Sequence, residues 1–302
     1  MKRPGFLQVT GPNLFLGRRI GIVPPVAGGA APFVGPMDAY TADGLLFYSS
    51  RRLLTAFEGA AMRMRLNPGA DEADIAFESS GLDVSAADRA ALLGSSGGVI
   101  TTWYDQLANR NLINATTTRQ PDAQVSGTPV TVNSRQAITG SGVSGTRKDL
   151  ATASYAHGIG AGDFFLSVIV KYVTGTSAAN ALFSAAFYAP AFYSGSSGTL
   201  KPQIYWGGLR VFDTTLVTGT TYVLSFARES GTLKCWVNGV QEATTHAVAT
   251  SLATTTFHAL SVGDGGSSNS GADDIQEIVF FKSAKAADRA AIMANQMTHA
   301  GL

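Results

Sequence analysis

Cys235 is the one cysteine in a chain of 302 residues. An internal disulfide is therefore excluded, and so is a zinc site built from several thiolates. Folding without disulfides is simplest in a reducing cytoplasm. Charge is also scarce: Asp, Glu, Lys and Arg make up 14% of the chain, and the net charge is +1. That balance gives no electrostatic footprint for nucleic acid or for an acidic membrane. Basic residues gather only in pairs such as Arg18-Arg19 and Arg51-Arg52. There is no run of about 18 apolar residues, so no bilayer-spanning helix is expected. The start, Met1-Lys-Arg-Pro-Gly-Phe-Leu-Gln, lacks the unbroken apolar stretch of a signal peptide, and Sec-dependent secretion is not expected. The four histidines, His157, His246, His258 and His299, stand far apart with no metal-ligand spacing, and each reads as a surface or structural residue. Neither an internal repeat nor a linker of useful length divides the chain.

What is abundant is Gly, Ser, Thr and Ala, the composition of a turn-rich all-β protein. Residues 221–246 give the firmest local expectation. Two alternating runs, 222–228 and 233–237, flank Ser230-Gly231, and Asn238-Gly239 then leads into Val240. Alternation suits strands with one wet and one buried face. Asn-Gly supplies the two positive-φ positions of a type I′ hairpin, and Ser-Gly serves the preceding turn. A three-stranded antiparallel meander follows. It resembles the segment of laminin-G and legume-lectin-like jelly rolls in which a short strand ends in an Asn-Gly turn.

Residues 1–41 differ from the rest. Pro4, Pro12, Pro24, Pro25, Pro32 and Pro36 forbid a continuous helix or a central strand. A disordered leader is one reading. Such leaders are polar, whereas this one carries Phe6, Leu7, Leu14, Phe15, Leu16, Ile20, Ile22, Val23 and Phe33. An extended apolar arm that packs on a partner surface is the other.

From residue 42 the pattern becomes globular. Residues 43–57 read as a helix with Leu46, Leu53, Leu54 and Phe57 on one side, closed by Gly59. Residues 62–66 and 74–77 read as strands, and Ser85 as the N-cap of a helix through Leu93. Residues 99–106 read as a strand leading into the polar loop Asn109-Arg-Asn111. Residues 163–173, nearly continuously apolar, should form a central strand. Residues 180–188, 201–212, 257–262 and 275–281 supply the others, and residues 284–297 a final helix capped by Ser283, with Ile292, Met293 and Met297 packed. Residues 195–198 and 265–271 read as flexible loops.

The series Tyr48-Ser-Ser-Arg-Arg-Leu, Met62-Arg-Met-Arg, Asp74-Ile, a helix, then Trp103-Tyr104-Asp105-Gln106 resembles the N-terminal half of the catalytic domain of B-type α-L-arabinofuranosidases. Similar segments occur in bacteriophage tail-fibre and other virion proteins. The resemblance implies an all-β, concanavalin-A-like two-sheet antiparallel jelly-roll sandwich over residues 42–302, with a few short peripheral helices and the N-terminal arm.

A retaining glycosidase needs two carboxyl groups about 5 Å apart. In the resembled family the acid/base lies in a Gly-Asp-Asn-Ser-type loop, which Gly263-Asp264-Gly-Gly-Ser-Ser-Asn-Ser-Gly271 resembles, so the resemblance places Asp264 at the acid position. The family's nucleophile motif follows a Cys-Cys pair. The corresponding stretch 185–192 has neither cysteine nor carboxylate, and no Asp or Glu occurs between Asp163 and Asp213. Without a nucleophile no glycosyl-enzyme forms, and hydrolase activity is expected to be lost.

A scaffold without a nucleophile leaves binding. Tyr188, Phe192, Tyr193, Tyr205 and Trp206 are the candidate platform for a sugar face, with Asp213, Asp264 and Asn269 as polar contacts. The alternative, that these aromatics pack in the core or between subunits, stays open. Cys235, beside Trp236, reads as an inert buried thiol. The resulting expectation is a non-catalytic virion component, a tail fibre, head spike or decoration protein. It would be assembled in the bacterial cytoplasm, exposed on the particle surface, homo-oligomeric, and anchored to other virion proteins by the arm, with host polysaccharide as its ligand. An arabinofuranosidase-like hydrolase and a free soluble lectin are the alternatives. No cofactor is expected. Calcium stays open because related lectin folds often bind it, although Asp273-Asp274 is too common a pair to argue for it.

Overall fold

The computed structural model describes residues 33–140, 148–173, 180–185, 190–195, 200–252, 256–261 and 272–302, which fall in one compact unit, Phe33–Leu302. In chain order its main elements begin with β1 (Gly44–Ser49), β2 (Met62–Asn67), β3 (Glu72–Ile75), α1 (Ala86–Leu93) and β4 (Gly97–Trp103). Four short strands follow, β5 (Leu112–Ile113), β6 (Asp122–Val125), β7 (Ile138–Thr139) and β8 (Leu150–Ala151), then β9 (Phe164–Lys171). Next come β10 (Asn180–Ala185), β11 (Ala191–Gly195), β12 (Gln203–Tyr205) and β13 (Leu209–Val211). The meander is β14 (Thr221–Glu229), β15 (Thr232–Val237) and β16 (Val240–Gln241), and the chain closes with β17 (Phe257–Ala259), β18 (Asp274–Phe281) and α2 (Arg289–Ala300).

Pairing is antiparallel throughout and builds two layers. The first runs β1-β18-β9-β14-β15-β16. The second runs β3-β2-β4-β5-β8-β17-β10-β11-β12-β13. β6 and β7 join them, linking β4 to the start of β18. Between the layers, Leu46, Tyr48, Phe164, Leu166, Phe226 and Phe280 meet Met62, Trp103, Phe183, Phe192, Ile204 and Phe257 in one core. The outer face of the first layer carries a second core, in which Phe47, Phe165, Ile169, Val223, Val279 and Phe281 lie under Ile292 and Met293 of α2. This double burial is why residues 163–173 are apolar at nearly every position.

The structure corrects four expectations, the first two because of this double burial. Residues 43–57 do not form a helix. Leu45, Leu46, Phe47 and Tyr48 are all buried in β1, and a short apolar run buried on both faces has no period that separates strand from helix. β14 is not wet on one face. Ser225 hydrogen-bonds Ser167 at 2.6 Å in the interior, and Arg228 donates to the carbonyls of Thr250 and Val248, both at 3.1 Å. The last helix begins at Arg289, because Lys285 sits at φ 47° and interrupts the helical path, so Ser283 is not its cap. Residues 201–212 form the hairpin β12-β13 rather than one strand.

Local signals held elsewhere. Asn238 and Gly239 have φ 48° and 78°, and Ser230 and Gly231 have 50° and 78°, so both turns place consecutive residues in the left-handed region. Ser85 Oγ accepts from Asp88 N at 3.1 Å. Cys235 is buried, and burial pushes its thiol pKa well up. Trp103-Tyr104-Asp105-Gln106 is a structural knot at the end of β4. The buried Asp105 carboxylate accepts from the backbone N–H groups of Phe47 (2.8 Å), Leu107 (3.2 Å), Ala108 (3.0 Å) and Arg110 (3.1 Å). Gln106 accepts from Leu53 N at 2.7 Å and donates to Arg51 O at 2.8 Å.

At the end of β1, the fully buried Glu277 takes a two-point bond from Arg51, Nε to Oε2 at 2.7 Å and Nη2 to Oε1 at 3.0 Å, plus one from Ser49 at 2.8 Å. Burial alone would raise the Glu277 pKa, but the Arg51 charge and these hydrogen bonds outweigh it, and the carboxyl titrates below its usual range. A depressed folded pKa contributes stability that is present above the unfolded value and lost as the pH falls through the folded one. Arg51→Met, which strands a buried carboxylate, should cost about 3–5 kcal/mol in urea denaturation at neutral pH. A loss under 1 kcal/mol would contradict this account.

Candidate functional site

Alternation along β11 sorts the aromatics proposed from sequence. Phe192 points into the core, 5.8 Å from Phe164 and 5.3 Å from Phe226 between ring centroids. Tyr193 points the other way and packs with Ala181, Ala191 and Tyr205 on the outer face of the second layer. Trp206 is also core: it stacks on Phe164 at 5.7 Å, with the Arg228 guanidinium 5.3 Å from its ring centre. Phe192 and Trp206 are thus corrected from platform to packing. They belong to the inward set of strands whose outward set holds Tyr193 and Tyr205. Asp213 is engaged by its own loop, accepting from Thr244 N at 2.7 Å and Thr244 Oγ1 at 2.5 Å, bonds that hold its carboxyl pKa below the usual range. Tyr188, Asp264 and Asn269 lie outside the described residues, as do Phe6, Leu7, Leu14, Phe15, Leu16, Ile20, Ile22 and Val23 of the arm. Phe33 is described, with its ring 4.9 Å from the Arg52 guanidinium.

The outer face also carries groups that the sequence did not single out. Phe257 and Ala259 enter the core, so His258 between them lies on the opposite face of the sheet, where it and Asp149 are both buried. Its Nδ1 lies 3.7 Å from Asp149 Oδ2, an ion-pair distance too long for a hydrogen bond. Asp149 Oδ1 accepts from Arg119 Nη2 at 3.1 Å and Asn114 Nδ2 at 3.2 Å. Register places these groups: Ala151 opposes His258 and Leu150 opposes Ala259, so Asp149 lies on the same face, one step on toward Leu260. On the other side of β17, Ser184 Oγ donates to Ser261 O at 2.7 Å. A carboxylate beside an imidazole can orient the ring and stabilise its protonated form, which suits acid–base work. His258 was legible in principle, as a polar residue at the outward position of an alternating strand. Asp149 was not, because it precedes a strand of only two residues.

Just before β18, Asp273 is fully buried. It accepts from Val173 N at 3.0 Å and from Ser194 Oγ. Burial pushes its carboxyl pKa up to about 7 against the opposing effect of those hydrogen bonds. Asp274, opposite Thr139 and Lys171, is also raised, chiefly by burial. Among the described residues no group of three or more His, Cys, Asp or Glu could hold a metal ion.

No protein-family model matches the chain, and no curated protein matches it. Among solved structures it is similar to an arabinofuranosidase complexed with arabinofuranosyl-α-1,2-xylobiose, with 16% identity over 88% of this chain and 65% of that one and a TM-score of 0.67. It is similar also to a GH54 α-L-arabinofuranosidase soaked with a cyclic sulfate inhibitor, at 15% identity over the same shares and a TM-score of 0.63. A third match is a Glu-to-Gln mutant of a GH54 α-L-arabinofuranosidase soaked with 4-nitrophenyl α-L-arabinofuranoside, at 14% identity and a TM-score of 0.66. The chain spans 65% of the length of these proteins. The likeness establishes the concanavalin-A-like sandwich and corrects the functional expectation. A non-catalytic virion part was expected, with its hydrolase activity lost. These three structures are arabinofuranosidases, and none of them is a virion protein. The missing carboxylates of residues 185–192 bear on one motif, whereas the fold match spans nearly the whole sandwich.

Asp273 gives a pH test. Its folded pKa lies above that of an unfolded Asp, about 3.9. The folded state therefore holds a proton that the unfolded state has lost, and stability falls as the pH rises from about 4 to 7. Asp273→Asn should flatten that decline by on the order of 4 kcal/mol in denaturation curves across the window. Parallel curves for the two proteins would refute the buried, protonated carboxyl.

Proposed function

We propose that the chain is a carbohydrate-active enzyme, a glycoside hydrolase acting on arabinofuranose-bearing saccharides. The observation that carries this reading is the fold shared over 88% of the chain with an arabinofuranosidase bound to an arabinofuranosyl-xylobiose. The outer face of the second layer supports it with the chemistry a sugar site uses. Tyr205, partly exposed and packed on the buried Tyr193, offers flat apolar surface with a polar tip, and Asp149 and His258 offer a buried acid–base pair at one strand end. Asp264 follows three residues after Ser261 in the chain, just beyond the strand that carries His258.

Hydrolysis needs a proton delivered to the leaving oxygen, and a second group to attack the anomeric carbon or to activate water. In this reading Asp264 delivers the proton. Asp149 is the partner carboxylate, held in place by Arg119 and Asn114; it takes a proton from the water that attacks the anomeric carbon, while the proton from Asp264 goes to the leaving oxygen. This assignment takes the second carboxyl from β8 rather than from residues 185–192, which have none.

The test is release of 4-nitrophenol from 4-nitrophenyl α-L-arabinofuranoside by the full chain. Turnover is expected, with Asp264→Asn and Asp149→Asn each lowering kcat by about 10²–10⁴-fold. No turnover across a panel of aryl glycosides, or binding of arabinosides without turnover, would overturn the enzyme reading in favour of a lectin. Turnover lost in Asp264→Asn but intact in Asp149→Asn would overturn the role of Asp149.

A further inference from the structure

A second site lies away from the outer face of the second layer, where the segment after Phe33 passes α2. A cavity of about 260 Å³ opens there, lined by Phe33, Arg51, Arg52, Arg135, Asn295 and His299 among others. That volume lies just below the range of drug-sized ligand pockets, so it suits one small ring. Arg51, Arg52 and Arg135 line it, and among the described residues no carboxylate does. Arg51 is neutralised by Glu277. Arg52 donates only to carbonyls, to Leu54 O at 3.1 Å and to Thr55 O. Arg135 Nη1 donates to Leu82 O at 3.0 Å and meets His299 Nδ1 at 2.7 Å.

An arginine has no acceptor to offer, so His299 Nδ1 accepts from Arg135 and the ring is neutral. Burial and the neighbouring Arg51 charge agree, lowering the His299 pKa to about 3. Asp38, an acid whose charge reaches Arg52, uses its oxygens on Gly35 N and on Thr55 N and Oγ1, and it does not line the cavity. Arg52 and Arg135 therefore line this cavity with no carboxylate hydrogen-bonded to either, Asp38 reaching Arg52 only through its field, an arrangement that favours a carboxylate or phosphate. A second observation narrows the class. Asn295 lines the same cavity, and its Oδ1 is buried without a hydrogen-bond donor. A simple anion brings no proton to such an acceptor, whereas a hydroxyl does.

We propose that this cavity binds a hydroxylated carboxylate, a single uronic-acid residue, with the carboxylate on Arg52 and Arg135 and a ring hydroxyl donating to Asn295 Oδ1. The Arg52 guanidinium is pre-set for this by its stacking over Phe33. The site uses neither Asp264 nor Asp149 and does not rest on the hydrolase reading.

Isothermal titration of the full chain with D-galacturonate, D-galactose and inorganic phosphate tests it. Galacturonate should bind, and galactose should bind at least about tenfold more weakly. Arg52→Gln and Arg135→Gln should each weaken galacturonate by about tenfold or more. Asn295→Ala should weaken galacturonate and leave phosphate unchanged. Circular dichroism melting checks each variant. Arg135→Lys, which keeps the charge and loses the forked donor, replaces Arg135→Gln if that protein does not fold, and it too should weaken binding. Failure of galacturonate to bind at millimolar concentration, or binding unchanged in the arginine variants, overturns the site. Phosphate binding as tightly as galacturonate, with no effect of Asn295→Ala, overturns the sugar and leaves a general anion pocket.

Discussion

The fold depends on how the second half of β1 and the residues just after it are fixed to both layers. At its C-terminal end Ser49 opposes Glu277, and Arg51 closes the buried ion pair on that strand. The backbone carbonyl of Arg51 then accepts from Gln106, whose own oxygen takes Leu53 N. One residue earlier, Asp105 holds Phe47 N. The end of β4 in the second layer is thereby laced to the first strand of the other layer by side-chain-to-backbone bonds in the interior. Each of these groups would be costly to bury alone. Together they leave one arrangement that satisfies the donors and acceptors they share, which is what a buried polar network contributes to a β-sandwich whose apolar faces could otherwise slip in register.

This explains why the sequence pointed so well to the fold and less well to its parts. Tyr48-Ser-Ser-Arg-Arg and Trp103-Tyr104-Asp105-Gln106 carried the resemblance because they hold the lacing residues. They therefore report on architecture rather than on chemistry. The turns were legible because Asn238-Gly239 and Ser230-Gly231 meet a backbone requirement that few other pairs meet. The helix expected at residues 43–57 failed because the second core, under α2, buries the face of β1 that a simple sandwich would leave wet. Nothing in the run Leu45-Leu46-Phe47-Tyr48 distinguishes a helix from a strand covered on both sides.

The candidate site was legible to a smaller degree, for a reason of geometry. A concave sheet face is assembled from alternate residues of strands distant in sequence, so no spacing marks it. Phe192 and Tyr193 are neighbours in the chain, yet one fills the core between the layers and the other is buried on the opposite face of its sheet. Asp149 and His258 stand over a hundred residues apart and meet through a two-residue pairing. Reading function from the empty stretch 185–192 treated a surface drawn from many strands as though one segment defined it.

The two proposed sites divide the molecule's scarce charge in a telling way. With 14% charged residues, a sandwich of this size has few carboxylates and guanidiniums to place, and several are buried. Those around Asp149 are paired with opposite charge, as suits a site that must hold a carboxylate ready without gathering counter-ions. Those beside α2 are not: Arg52 and Arg135 are fixed by carbonyls and by a neutral imidazole, none of which cancels their charge. Fixing a cation through dipoles holds its position while preserving its field. A protein that needed only stability there would gain more from a carboxylate partner. Rigid, unneutralised guanidiniums around an orphaned acceptor are what recognition of an acidic, hydroxyl-bearing ligand requires.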